Sequence, residues 1–76
     1  DYRLGLAYHL ESRGQYEEAL RLLEPLVKSR RARFPRNHPN LRLPLTHLGV
    51  TLRELGRHEE AIRILREALL IQLEFG

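Results

Sequence analysis

The decapeptide GQYEEALRLL, Gly14 to Leu23, returns as GRHEEAIRIL, Gly56 to Leu65, 42 positions further along a chain of 76 residues. A fixed-period echo of this length is the mark of a repeated packing unit. Working outward at the same offset, Leu6 falls on Leu48, Leu10 on Leu52 and Gly14 on Gly56. Glu17, Glu18, Ala19, Arg21 and Leu23 fall on Glu59, Glu60, Ala61, Arg63 and Leu65. Leu20 with Ile62 and Leu22 with Ile64 are conservative matches. The agreement is concentrated at apolar and small positions and at one glycine, the residues through which a unit packs and turns.

Each unit reads as two helices about a tight turn. Leu4, Leu6, Ala7 and Leu10 have helical spacing and run up to Gly14, a residue suited to a left-handed helix end. The next helix opens near Tyr16, with Glu17 and Glu18 placed where a helix N-terminus favours acids. Its apolar stripe is Ala19, Leu20, Leu22, Leu23, Leu26 and Val27. Pro25 removes the bond to the carbonyl of Arg21, so a kink is expected there. Glu17–Arg21 and Glu59–Arg63 are i,i+4 pairs in the favourable order, worth a few tenths of a kcal/mol each.

The linker FPRNHPN follows, in which Pro35, Asn37, Pro39 and Asn40 are turn or cap residues and Asn40 is the expected N-cap. Pro44 then lies near a first helical turn, where proline is tolerated. Leu45, Leu48, Leu52 and Leu55 form the third helix's stripe up to Gly56. A last helix is expected from His58 to about Glu74. The expected organisation is therefore one all-α domain over 1–76 with four antiparallel helices: repeat 1 over about 1–34, linker 35–40, and repeat 2 over about 41–76.

This pattern resembles the tetratricopeptide repeat over the whole chain. Leu6-Ala7 and Leu48-Gly49 match that family's large–small pair, Leu10 and Leu52 the next apolar position, and Gly14 and Gly56 the turn. Ala19 and Ala61 match the alanine where the helices cross closely; at the later small position Ala68 fits and Leu26 departs. The 42-residue spacing with a His-Pro turn is similar to the kinesin-light-chain type. The resemblance implies a fragment of an α-solenoid that binds a peptide or helix of a protein partner on its concave first-helix face. By position it nominates Leu4, Tyr8, Glu11 and Ser12 on the first helix, and Leu43, Thr46, His47, Val50, Arg53 and Glu54 on the third. The clamp with which a chaperone-tail subfamily grips a terminal carboxylate is not matched, since Leu4, Tyr8 and His47 stand at its positions.

Composition excludes several classes. The chain has no cysteine, hence no disulfide framework and no thiolate zinc site, which fits a reducing, cytoplasmic setting. Its longest apolar run, Ala68–Ile71, is far too short to span a bilayer, and no signal-peptide pattern opens it. His9, His38, His47 and His58 show no HxxxH spacing, so no metal is expected, and His38 is assigned to the linker turn. Ser12, Ser29, Thr46 and Thr51 read as surface residues without a triad-like neighbourhood, and no glycine loop suits a phosphate. Neither catalysis nor a cofactor is expected.

The basic segment Lys28, Arg30, Arg31, Arg33 and Arg36 reads first as a helix end complementing its dipole. Its alternative is an anion or nucleic-acid patch, disfavoured by a net charge of only +3. A further alternative is self-association. A start at Asp1 and an end at Gly76, which aligns with Phe34, suggest a piece of a longer repeat array. The last helix carries more apolar surface than one neighbour covers, so a homodimer, in its simplest form two-fold, is expected.

Overall fold

The computed structural model describes residues 2–36 and 38–75. Asn37, one of the linker residues, and the two ends, Asp1 and Gly76, lie outside the described residues. The elements are α1 (Tyr2–Ser12), α2 (Tyr16–Arg33), a 3-10 turn (Pro39–Leu41), α3 (Arg42–Glu54) and α4 (His58–Phe75). These are the four helices expected; α2 opens at Tyr16 and α4 at His58, as read from the sequence, and α4 ends at Phe75, one residue past the expected Glu74. None of them is long and apolar enough to cross a membrane.

The two intra-repeat turns are built alike. Gly14 and Gly56 have φ of 77° and 83°, left-handed values that cost a glycine least. At the first turn the Gly14 N–H donates to the Glu11 carbonyl at 2.9 Å and the Gln15 N–H to the Leu10 carbonyl at 2.8 Å. At the second the Gly56 N–H donates to Arg53 at 3.0 Å and the Arg57 N–H to Leu52 at 2.9 Å. This paired closure satisfies carbonyls that a helix end leaves orphaned. The repeat of sequence is therefore a repeat of hydrogen bonding.

The linker departs from expectation at its cap. Asn40 lies inside the 3-10 turn, and His38 caps that turn by accepting the Asn40 N–H on Nδ1 at 3.1 Å. The His38 ring also stacks on Phe34, with ring centroids 4.5 Å apart. No side chain caps α3, because the 3-10 turn runs straight into it at Leu41. Pro44 is accommodated in the first turn of α3 and is buried. α2 runs on through Pro25 as one helix, with the proline on its exposed side. There the freed Arg21 carbonyl can be hydrated. Neither Glu17–Arg21 nor Glu59–Arg63 closes into an ion pair; an exposed pair gains too little to fix two long side chains. Arg57 instead makes a bidentate pair with Glu60, both contacts at 2.9 Å.

α3 is the central helix: it packs against α2 on one side and α4 on the other, while α1 packs against α2. Its buried residues Pro44, Leu45, Leu48, Gly49, Thr51 and Leu52 cover close to half of its circumference, whereas α1 buries Ala7 alone. The core is completed by Ala19, Leu23, Leu26 and Val27 from α2, Leu41 from the turn, and Ala61, Ala68 and Ile71 from α4. A Cβ on Gly49 would stand 2.5 Å from Cγ of Leu65, so α3 and α4 approach at the expense of one side chain. Leu6 matches Leu48 in sequence but is exposed, whereas Leu48 is covered by α2.

Thr51 corrects the expectation of a surface hydroxyl. It is fully buried, and its Oγ1 has no hydrogen-bond partner among the described residues. Thr46 is half-buried and donates to the Arg42 carbonyl at 2.8 Å. An unsatisfied buried hydroxyl costs about 1–3 kcal/mol. Valine keeps the shape and has a similar helix propensity. Thr51→Val is therefore expected to raise stability by up to about 1 kcal/mol in a thermal melt. A lower melting temperature would show that the hydroxyl is satisfied in the folded chain.

Candidate binding face

The nominated residues of α3 recur at offsets of three, four and seven, which is the period that lines one side of a helix. Leu43, Arg53 and Glu54 on that side are exposed, while Thr46, His47 and Val50 are half-buried. From α1, Tyr8 and Glu11 are brought against this surface. The Tyr8 ring meets the His47 ring edge-on, with centroids 5.6 Å apart. Nδ1 of His47 lies 2.9 Å from Oε2 of Glu11, and donates to it when the ring carries its proton there. That oxygen is closed off from solvent, and His47 is the described group facing it. Burial pushes the Glu11 carboxyl above its ordinary value, and the charge and hydrogen bond of His47 pull it the other way without cancelling the shift.

The face therefore has a polar seam and open flanks. The seam is Glu11–His47, which ties α1 to α3. On either side stand Tyr8, with 63 % of its surface exposed, and Leu43, Val50 and Arg53. Ser12 is spent locally, its hydroxyl donating to the His9 carbonyl at 2.7 Å. Leu4 is half-buried and packs against the core rather than standing free on the face. The Glu11–His47 contact was not read from the sequence, because it joins residues 36 positions apart on different helices. The one available signal was that an acid and a histidine occupy neighbouring face positions of adjacent first helices.

The basic segment is partly occupied by the fold. Arg30 donates to the Asn40 carbonyl at 2.9 Å, fastening α2 to the 3-10 turn. Arg31 pairs with Glu67 of α4 at 3.0 Å, bridging the two repeats. The Arg33 guanidinium lies 5.7 Å from the centre of the Phe34 ring. Lys28 and Arg36 are exposed. No group of three or more His, Cys, Asp or Glu residues suited to a metal ion occurs among the described residues.

Two stacked helix–turn–helix units, with one helix of each contributing to a shared side, define a helical-repeat protein. The family model described as tetratricopeptide repeat matches residues 2–74, and the chain belongs to that family. No curated protein and no solved structure gives a significant match. Members of this family are in general protein–protein interaction modules, and their repeats are as a rule non-catalytic scaffolds.

Proposed function

We propose that the chain binds a peptide or helix of a partner protein across the face shared by α1 and α3. The observation that carries this reading is the composition of that surface. Tyr8, Leu43 and Val50 offer apolar area beside the exposed Arg53, while Glu11 and His47 hold the two helices in register. Such a surface suits a partly apolar segment carrying an acidic residue, because a guanidinium pairs with a carboxylate through two parallel bonds. The engagement of Arg30 and Arg31 within the fold supports this reading over anion or nucleic-acid binding by the basic segment. The 42-residue period and the His38–Pro39 turn support the kinesin-light-chain-like variety of the repeat.

The test is a peptide-display selection on the immobilised chain, repeated with Arg53→Ala and Tyr8→Ala. Both side chains are exposed, so helix content and melting should be unchanged. Selected peptides should carry an acidic residue among apolar ones and should bind the Arg53→Ala chain roughly tenfold or more weakly, the size of one charge-assisted hydrogen bond. Equal capture by the wild type and both variants would remove this face as the binding site.

A further inference from the structure

The joint between the two repeats is present once in full and twice by halves. In full, α2 presents Glu24, Val27, Lys28 and Arg31 to Leu48 of α3 and Ile64 of α4, around one recess. Val27 is 4 % exposed and Leu48 is 6 % exposed. Advancing Val27, Lys28 and Arg31 by 42 places gives Leu69, Leu70 and Leu73 of α4. These are 54 %, 50 % and 74 % exposed. Moving Leu48 and Ile64 back by 42 places gives Leu6 and Leu22, which line an open recess between α1 and α2 with Leu10, Glu18 and Arg21. Leu6 is 42 % exposed. The last helix thus carries the donor half of the joint, and the first repeat carries the acceptor half.

The substitutions between the copies suit a second joint. Arg31 and Glu67, which pair at 3.0 Å across the internal joint, become Leu73 and Pro25, so an exposed ion pair is replaced by two apolar side chains. Arg57 is bound to Glu60, and the negative charges of Glu24 and Glu17 also favour its guanidinium. At the shifted positions Glu24 becomes Arg66, Arg57 becomes Gln15 and Glu60 becomes Glu18. Glu18 has no ion-pair partner among the described residues, and Arg66 supplies the cation it lacks. The apolar surfaces match, and Glu18 with Arg66 is the complementary charge pair.

We propose that copies of this chain associate head to tail, with the Leu6–Leu22 surface of one copy seated on the Leu69–Leu73 surface of another. The contact repeats the joint that already exists within the chain. Its two faces differ, so the association is heterologous and extends rather than closing at two. A two-fold dimer would set α4 on α4 or α1 on α1, contacts with no counterpart inside the chain. This surface is separate from the α1–α3 binding face, so the two readings stand or fall independently.

Sedimentation velocity over a wide range of concentration tests the proposal, using the wild-type chain, Leu6→Glu and Leu69→Glu. The wild-type mass should climb past that of a dimer, while each variant alone should remain a monomer. An equimolar mixture of the two should form a dimer and go no further, because only one competent head and one competent tail are present. Both positions are exposed, and far-ultraviolet circular dichroism confirms that helix content is kept; Leu73→Glu serves as a second tail variant. A wild-type chain that stays monomeric throughout overturns the proposal. So does association abolished by Leu69→Glu but not by Leu6→Glu, which is the signature of a two-fold contact through α4. A mixture that fails to pair overturns it as well.

Discussion

Leu45→Ala is expected to leave the chain largely unfolded in dilute solution at room temperature. Leu45 is fully buried on α3, the helix packed between α2 and α4. Its repeat partner at the 42-residue offset is Arg3, so the first repeat has no equivalent leucine and the loss is not shared. Truncating a fully buried leucine removes its transfer energy and opens a cavity, about 2–5 kcal/mol together. A domain of this size draws roughly 3–5 kcal/mol from a single core. The two quantities are of one size, so the mutation consumes most of the stability. Urea titration followed by circular dichroism at low concentration is the measurement. Leu73→Ala on the exposed side of α4 is the control, expected to change the midpoint little. If Leu45→Ala unfolds at the wild-type midpoint, α3 is not the helix that couples the repeats.

What could be read from the sequence was what neighbours along the chain decide. The turns at Gly14 and Gly56 close through residues three to five positions away, so a glycine after an apolar stripe located them. The small residues Ala19, Ala61 and Ala68 are buried where the repeat pattern put them. Pairing across helices was not legible. Thr51 looks polar in the chain and is buried, because α3 is covered from two sides. Leu6 and Leu48 occupy the same motif position and differ in exposure, because exposure depends on the next layer rather than on the residue. Asn40 was the better cap by residue preference, yet His38 caps the turn, held in place by its stack on Phe34. On the binding face, helical spacing identified which residues share a side. It could not show that Glu11 and His47 would meet, or that Leu4 would turn inward.

The second large effect expected is at Ala61, the alanine five places after the turn glycine. Its N–H donates to the Arg57 carbonyl at 3.0 Å, as the N–H of Ala19 does to Gln15 at 3.1 Å, so each alanine sits in the opening turn of its helix. Both are buried to within about one per cent of their surface, and Ala61 is enclosed where α4 leaves the turn that follows α3. Leucine has nearly the helix propensity of alanine, so Ala61→Leu changes packing and little else. Three added carbons have no space there and must displace the helix or adopt a strained rotamer, at about 1–3 kcal/mol. For a domain of this length each kcal/mol moves the melting temperature by about 4–8 °C. Ile62, the next residue, is more than half exposed, so Ile62→Leu adds no buried volume and should melt like the wild type. The contrast between adjacent positions isolates the crossing itself: a fall at 61 without one at 62 is overpacking, whereas equal melting of both variants would mean that the helices do not meet at Ala61.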